Sequence, residues 1–323
     1  MGIMNIKELL KLFLMHMKRE NTIISLNRFL LWCIVLLHKI INKIRARRQY
    51  RYAIKDIFGS RMISGEGFGN YLVTESSHEP FLTKWLQENV EESKVIYDIG
   101  ANIGYYTLIL SKLVGKAGRI FAIEPEPANL GMIEINMLMN HCKNITLLPF
   151  AAGDKEGICN MYRSFGRDTI TLLPNTWHKN TGTFSAQMRT LDNIAKDFRS
   201  PDIIRMDIEG GELAALRGAS ALLANKHSLV LIIEMHFYLL MEKTIELLNI
   251  LKKNGFEIAS AFHEPYPDLA PYKHSTKFSN LLAHNIGIEN GENRLALSDL
   301  YAKKFTTGQI ERLEVVFKRK RNV

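Results

Sequence analysis

The chain has 323 residues, enough for one large domain or two small ones, and its hydrophobic fraction of 46% is ordinary for a globular protein. Its net charge of +9 is concentrated at the ends, since residues 1–56 carry twelve Lys and Arg against three acids and residues 303–323 carry seven against two. Residues 57–302 are slightly acidic, which argues against a basic catalytic groove for nucleic acid, and no nucleic-acid partner is expected.

The three cysteines, Cys33, Cys142 and Cys159, are odd in number and show no C-x-x-C spacing. This pattern predicts neither a disulfide framework nor a zinc site. We expect inert thiols in a reducing compartment, which favours the cytoplasm. Whether another metal is needed, and the oligomeric state, stay open at this point.

Residues 1–56 are predicted to form a helical N-terminal extension. The apolar run Phe29–Leu37 is nine residues long, and spanning a bilayer takes roughly 20. A basic cluster follows from Lys43 to Arg51. An apolar helix beside a basic cluster suits the cytoplasmic face of an anionic membrane, with the protein bound peripherally. A helix packed on the domain or on a second subunit fits equally well, and a spanning helix is the third alternative.

Residues 57–287 are predicted to form an α/β domain in which strands and helices alternate. The run 229–233 is apolar throughout, and the run 203–208 is apolar apart from Arg205 and Asp207, as expected of parallel strands buried on both faces. The pattern predicts a doubly wound, mostly parallel sheet, with a last, antiparallel strand at 278–284 and a basic C-terminal tail over 288–323. The other predicted strands are 95–99, 119–123, 145–149, 203–208, 229–235 and 256–261, and the predicted helices are 81–90, 103–114, 127–140, 211–224 and 237–253.

The stretch 153–192 interrupts this alternation, because it is polar and rich in glycine. A non-helical insertion after the third strand would lie near the carboxyl ends of the strands and could cover a substrate. The alternative is a surface loop with a small hairpin.

A strand, a glycine turn and a helix start follow one another within Val95–Leu108. The order is typical of a corner that binds a nucleotide-like ligand. The spacing is D-x-G-x-N-x-G rather than the G-x-G-x-x-G of dinucleotide sites. The candidate ligand-binding residues in this turn are Asp98, Gly100, Ala101, Asn102 and Gly104.

The second apolar strand ends in Glu124, twenty residues after Gly104. An acid at that position is placed to accept hydrogen bonds from both hydroxyls of a ribose. Because Asp98 would repel a phosphate, the pattern favours a ligand with a ribose and no phosphate, and S-adenosylmethionine fits. The alternative is an ordinary α/β turn with an unrelated acid after it.

Acids cluster at the ends of the fourth and fifth strands. Asp207, Glu209 and Glu212 lie within six residues, and Glu234 and His236 end the next strand. Such a cluster is costly unless it binds a cation, a metal or a proton. We interpret Asp207 as functional, and Glu212 as an acid that the dipole of the following helix favours.

Several ordered segments resemble the FkbM family of S-adenosylmethionine-dependent methyltransferases. They are DIGANIGYYTL, FAIEPEP, RTLD at 189–192, MDIEGGE and IIEMH, and the similarity runs from about Val95 to His236. Met206 and Gly211 depart from the pattern without removing a polar group. The resemblance implies a Rossmann-like methyltransferase fold with a seven-stranded sheet, to which the N-terminal extension is an addition.

The resemblance also implies an O-methyltransferase that acts on a hydroxyl of a sugar, a glycolipid or a natural product. It assigns the cofactor S-adenosylmethionine to the glycine turn and Glu124, with Asp207 near the methyl-donor end. An unactivated alcohol needs a base, and Asp207, Glu209 and His236 are the candidates by position.

Two other functional classes remain open. The first is a methyltransferase of the same fold that acts on nucleic acid or protein, although MDIEGG stands where a D/N-P-P-Y/F tetrapeptide of base-methylating enzymes would lie. The second is a membrane-associated binding protein without catalysis, which the intact glycine turn and Glu124 argue against.

Overall fold

The computed structural model of the protein describes residues 53–64, 78–164, 170–174, 180–225, 228–240, 242–262 and 312–319. The predicted helical extension before Ala53 and the strand predicted at 278–284 lie outside these residues. The doubly wound, mostly parallel fold can be followed through the described part of the chain.

Seven strands form the central sheet, in the order β12-β13-β11-β10-β3-β4-β5. Strands β3, β4, β5, β10 and β11 are parallel, and β13 runs antiparallel to both of its neighbours. The predicted seven-stranded, mostly parallel sheet is confirmed. The strands are β3 (Val95–Ile99), β4 (Arg119–Ile123), β5 (Ile145–Leu148), β10 (Ile203–Met206), β11 (Val230–His236), β12 (Phe256–Phe262) and β13 (Arg312–Arg319).

Helices cover both faces of this sheet, because successive residues of each strand point to opposite sides. In β3, Tyr97 and Ile99 join the core formed with Leu216, whereas Ile96 joins the core on the other side. The described helices are α1 (Pro80–Asn89), α2 (Tyr105–Leu113), α3 (Pro127–Met139), α4 (Leu191–Asp197), α5 (Glu212–Arg217), α6 (Ser220–Ala224), α7 (Phe237–Leu240) and α8 (Lys243–Lys253).

The predicted helix 211–224 is two short helices, α5 and α6, separated at Gly218. A Cβ at Gly218 would lie 2.0 Å from the carbonyl oxygen of Gly153. The chain therefore comes too close to the loop after the third strand for a side chain at this position. The predicted helix 237–253 is likewise divided into α7 and α8.

A hairpin of β1 (Ala53–Ile57) and β2 (Ser60–Ser64) packs against α3. The amide oxygens of Asn140 and Asn136 accept hydrogen bonds from the backbone N–H groups of Arg61 and Ile63, each at 2.8 Å. The boundary predicted at residue 56 is therefore wrong by a few residues, because β1 already belongs to the domain.

The insertion forms a four-stranded sheet in the order β6-β9-β7-β8. Its strands are β6 (Phe150–Ala152), β7 (Gly157–Ser164), β8 (Ile170–Thr171) and β9 (Asn180–Arg189). Between Gly153 and Arg189 the described residues contain no helix, and they form a sheet of their own rather than a loop with a small hairpin. Since β6 directly follows β5, this inserted sheet stands at the carboxyl end of the central sheet.

The basic C-terminal tail predicted over 288–323 is wrong for residues 312–319. These residues form β13, which lies between β11 and β12. Residues 313–317 are all buried, and the basic Lys318 and Arg319 stand at the end of the strand. The number of basic residues at this end of the chain led to the prediction of a tail. The basic residues of the strand flank an apolar stretch that contains only one acid, Glu314.

Candidate active site

The glycine turn after β3 brings two strand ends into contact. Gly100, Asn102 and Gly104 have φ values of 78°, 50° and 90°, a region that favours glycine. A Cβ at Gly100 would lie 1.8 Å from the carbonyl oxygen of Asp207. Only glycine lets the loop after β3 touch the loop after β10. The order of the strands reverses between β3 and β10, and open α/β sheets bind their ligands at such a point.

Glu124 follows β4 and is held beside this turn. Its carboxylate accepts hydrogen bonds from the backbone N–H groups of Asn102 (2.8 Å) and Glu126 (2.9 Å) and from the amide of Asn129 (3.3 Å). Burial raises the pKa of Glu124 to about 7, against the lowering by these hydrogen bonds. The side-chain oxygen of Asn102 is buried and has no hydrogen-bond partner among the described residues.

A cavity of about 620 Å³ opens between these loops and the inserted sheet. Its polar lining comes from the turn, from Glu124 and from the loop after β10, and its apolar wall comes mainly from the insertion. The insertion thus forms one wall of the cavity, and its role in covering a ligand stays a prediction. The lining residues are Ile99, Gly100, Asn102, Ile123, Glu124, Pro125, Asn129, Phe150, Ala151, Ala152, Met161, Ile170, Leu172, Asp207, Ile208 and Glu209.

Three predicted cofactor residues, Asp98, Ala101 and Gly104, do not line this cavity. Asp98 is fully buried behind the turn, where it accepts hydrogen bonds from Thr107 (2.5 Å) and Arg205 (3.5 Å). Burial raises the pKa of Asp98, while Arg205 and Thr107 oppose the rise. The contacts of Asp98 thus support the glycine turn from behind, and its direct role in cofactor binding stays a prediction.

Asp207 and Glu209 lie in the loop after β10 and also line the cavity. One oxygen of Asp207 accepts a hydrogen bond from Arg205 at 2.9 Å. Burial raises the pKa of Asp207, but Arg205 and His236 outweigh it and hold that pKa below its usual value. Glu209 has φ of 51°, unusual for a residue with a side chain, and the hydroxyl of Thr171 in β8 donates to its carbonyl oxygen at 2.7 Å. The inserted sheet thus holds Glu209 in place.

His236 ends β11 and is fully buried among carboxylates. Its Nδ1 lies 3.0 Å from Glu212, and its Nε2 lies 3.4 Å from Glu209, 3.7 Å from Glu234 and 3.9 Å from Asp207. Burial lowers the pKa of His236, but Glu209, Glu234 and Glu212 raise it well above its usual value. The imidazole is therefore protonated at neutral pH, which disfavours the predicted role as a base.

Glu212 begins α5 as predicted, but its position is not explained by the helix dipole alone. It is fully buried, and one carboxylate oxygen contacts both His236 and the backbone N–H of Gly210, at 3.0 and 3.1 Å. The sequence interpretation missed this pairing because the two side chains are 24 residues apart.

A second buried group of acids was not predicted. Glu79, Glu234 and Glu314 each have a carboxylate oxygen within 4.8 Å of the others, and Arg312 contacts Glu234 at 2.7 Å. Burial raises the pKa of both Glu234 and Glu314 well above the usual value. The signal that could have revealed Glu314 is a single acid inside the otherwise apolar run 313–317.

Residues 98–258 match a family model described as the methyltransferase FkbM domain. The chain belongs to the FkbM methyltransferase family. The predicted family is thereby confirmed, and it is a family of methyltransferases.

A curated relative of this FkbM methyltransferase is hexuronic acid methyltransferase AglP of Haloferax volcanii. The two are 25% identical over 162 residues, which cover 49% of this chain and 62% of the relative. The chain thus matches about three fifths of the relative's length.

Two solved structures also align with the FkbM methyltransferase. Precorrin-6y C5,15-methyltransferase of Geobacter metallireducens GS-15 has a TM-score of 0.39 at 16% identity and covers 76% of this chain and 91% of its own. TYW2 of M. jannaschii, in complex with AdoMet, has a TM-score of 0.41 at 14% identity and covers 84% and 89%.

The residues of the FkbM site fit S-adenosylmethionine. The empty space of about 620 Å³ is partly open to solvent. The unpartnered oxygen of Asn102 and the carboxylate of Glu124 are acceptors beside the glycine turn, and the cofactor carries hydroxyl and ammonium donors. The apolar wall around Met161 and Leu172 suits a purine ring.

Proposed function

We propose that this protein is an O-methyltransferase that transfers the methyl group of S-adenosylmethionine to a hydroxyl of a sugar, with a hexuronic acid as the acceptor class. The observation that carries the proposal is one cavity lined both by Glu124 with the glycine turn and by the carboxylates of Asp207 and Glu209. We assign the first group to the cofactor end and the second group to the acceptor end.

The cofactor end is formed by Gly100, Asn102 and Glu124. In this proposal Glu124 accepts hydrogen bonds from the ribose hydroxyls, and Asn102 accepts from a donor of the cofactor. Bound S-adenosylmethionine supplies an electrophilic methyl group, so the chain's own task is to align the acceptor and exclude water. The inserted sheet supports the second task, because its apolar residues close one side of the cavity.

The acceptor end is formed by Asp207 and Glu209. Both line the cavity, and a carboxylate within hydrogen-bond reach of the acceptor hydroxyl can take up its proton. His236 is already protonated, so we assign it the role of holding the two carboxylates rather than that of the base.

The choice of a sugar acceptor is supported by the relative AglP, whose name states a hexuronic acid methyltransferase. The slight excess of acids over residues 57–302 argues against a basic groove for nucleic acid. Glycolipids and polysaccharides that contain a hexuronic acid are therefore the first acceptors to test.

The test is incubation of the full chain with methyl-labelled S-adenosylmethionine and three acceptors: a hexuronic acid oligosaccharide, a neutral hexose oligosaccharide and tRNA. We expect label in the first, with a mass gain of one methylene on a hydroxyl. Label in tRNA alone would replace the proposal with nucleic-acid methylation. Label in the neutral sugar alone would support O-methyl transfer to a sugar but would rule out a hexuronic acid as the acceptor.

We also propose that the residues before Ala53 attach the enzyme to the cytoplasmic face of an anionic membrane. The support is the apolar run Phe29–Leu37 beside the basic cluster Lys43–Arg51. Within the part of the chain that the structure describes, no helix is long and apolar enough to cross a membrane.

A further inference from the structure

An ion pair joins the inserted sheet to the segment that carries Glu124. The guanidinium of Arg163, on β7, donates to both carboxylate oxygens of Glu126, from Nε at 2.7 Å and from Nη2 at 3.1 Å. Two hydrogen bonds from one guanidinium to one carboxylate give a strong contact of defined geometry. The partners are 37 residues apart in the sequence, so the contact fixes one element against another.

Both partners of this ion pair are held by further contacts. Glu126 is buried, and its side chain also accepts a hydrogen bond from the backbone N–H of Ala128 in the first turn of α3, at 3.4 Å. The guanidinium of Arg163 lies 4.4 Å from the centre of the Phe184 ring on β9. Because a buried carboxylate without its cation is costly, the loss of Arg163 should shift Glu126 and the start of α3.

Glu126 is in direct contact with Glu124. The backbone N–H of Glu126 donates to Oε1 of Glu124 at 2.9 Å, and the amide of Asn129 donates to the same oxygen at 3.3 Å. The other oxygen, Oε2, accepts from the backbone N–H of Asn102 in the glycine turn at 2.8 Å. A shift of Glu126 would therefore move the carboxylate of Glu124 relative to the glycine turn.

The ion pair also positions the apolar wall of the cavity. Met161 and Arg163 are two residues apart on β7, so their side chains point to the same side of the inserted sheet. Met161 lines the cavity beside Pro125 and Glu124, and Arg163 is not among the lining residues. Arg163 thus holds the inserted sheet against the segment 124–126 from outside the cavity.

We propose that Arg163 is a positioning residue for S-adenosylmethionine, which acts through Glu126 to hold Glu124 and the inserted sheet in the arrangement that binds the cofactor. This role rests on the cofactor end of the proposed site and involves neither the acceptor nor the base. Loss of Arg163 should therefore weaken cofactor binding without any loss of a direct contact to the cofactor.

The charge of Arg163 gives this role a signature that packing alone would not produce. Burial is the main cause that raises the pKa of Glu124 to about 7, and the neighbouring charge of Glu126 adds to the rise. The groups that face Glu124 are Glu126 and the neutral Asn102 and Asn129, with Arg163 next to Glu126. Removing the guanidinium should raise the pKa of Glu124 further, whereas removing the charge of Glu126 should lower it.

The test is isothermal titration of the full chain with S-adenosylmethionine between pH 6 and pH 9, without acceptor. We expect Arg163→Met and Glu126→Gln each to weaken binding about tenfold at the highest pH, because each breaks the same pair. The midpoint, the pH at which the affinity is half its maximum, should move in opposite directions. It should rise by about half a pH unit in Arg163→Met and fall in Glu126→Gln.

Two further variants separate charge from geometry. Arg163→Lys keeps the charge but not the paired donors, so it should keep the wild-type midpoint and recover part of the affinity. Arg217→Met is the matched control, since Arg217 on α5 donates to Glu246 on α8 from Nε and Nη2 at 3.0 and 2.6 Å. It should change neither the affinity by more than about twofold nor the midpoint.

Thermal unfolding without cofactor checks that the variants fold, which we expect of Arg163→Met because the Arg163 side chain is 38% exposed. Affinity equal to that of the wild type in Arg163→Met, or midpoints that move in the same direction in Arg163→Met and Glu126→Gln, would overturn the positioning role. Absence of binding by the wild type would overturn the cofactor site together with this role. Failure to methylate a sugar would overturn the proposed acceptor and leave the role of Arg163 standing.

Discussion

At the scale of single residues, Glu124 links the pH to cofactor binding. Its pKa of about 7 means that it is partly protonated at neutral pH, and only the ionised carboxylate accepts hydrogen bonds from both ribose hydroxyls. We expect the affinity for S-adenosylmethionine to be about tenfold lower at pH 6 than at pH 8. Isothermal titration across this range is the measurement, and Glu124→Gln should remove the pH dependence and bind weakly throughout. An equal affinity at both pH values would refute the ribose assignment.

The same pKa shift affects the stability of the protein without cofactor. The folded-state pKa of about 7 lies above the usual value of 4.5, so folding favours the protonated form of Glu124. This contribution to stability is complete below about pH 4.5 and is lost as the pH rises through about 7. Bound cofactor supplies donors to the ionised carboxylate and should oppose that loss.

A substitution at Asp207 should affect the methyl-transfer step more than the binding of the cofactor. Arg205 and His236 keep its carboxylate ionised, and it lies at the acceptor end of the cavity. We expect Asp207→Asn to lower turnover by roughly 10²-fold or more while changing the cofactor affinity far less. The turnover is measured in the methyl-transfer assay, with the acceptor that the wild type labels. The cofactor affinity is measured by a titration with S-adenosylmethionine. Equal losses in both would make Asp207 a binding residue.

At the scale of elements, the contact between the loops after β3 and β10 depends on Gly100. We expect Gly100→Ala to destabilise the fold by about 2–4 kcal/mol, because its Cβ would overlap the carbonyl of Asp207 in addition to the strain of a positive φ. Gly255→Ala is the matched control, since Gly255 has the same φ of 78° with nothing within 4 Å of its Cβ. Denaturant unfolding of both variants is the measurement. Equal losses would show that the close approach does not matter.

Strand β13 is the element whose role differs most from its prediction. Phe317 is buried on β13, which lies between β12 and β11, so Phe317→Ala should cost about 3–5 kcal/mol of the free energy of unfolding. A basic tail outside the domain would tolerate the change without loss. Lys318→Ala, on the neighbouring residue that is only partly buried, serves as the control in the same denaturation experiment.

At the scale of the whole molecule, the apolar run Phe29–Leu37 and the basic cluster Lys43–Arg51 lie close together before Ala53. Each basic residue near an anionic surface contributes about 1 kcal/mol, which salt screens, and a buried apolar face adds a salt-insensitive part. We expect the full chain to sediment with anionic vesicles and to be released only partly by high salt. A truncated protein that lacks residues 1–50 keeps β1 and should stay in the supernatant and bind S-adenosylmethionine. If the truncated protein aggregates and the full chain ignores vesicles, the segment packs on the domain or a second subunit.

Much of the fold could be predicted because it depends on local pattern. The predicted bounds of β3 and β4 are the observed ones, and those of β5, β10, β11 and β12 agree to within two residues, because buried parallel strands are short apolar runs between turns. The positions of Glu124 and Asn102 could be predicted for the same kind of reason. A residue that follows a parallel strand must lie at the carboxyl end of the sheet.

The remainder depends on contacts that no local pattern contains. Strand β13 is separated from β12 by 49 residues, and its pairing with β11 is decided by the apolar side chains it buries between its neighbours. The same pairing sets Glu314 opposite Glu234. His236 is therefore protonated rather than neutral because carboxylates from distant segments surround it, and burial makes their interactions strong enough to shift its pKa.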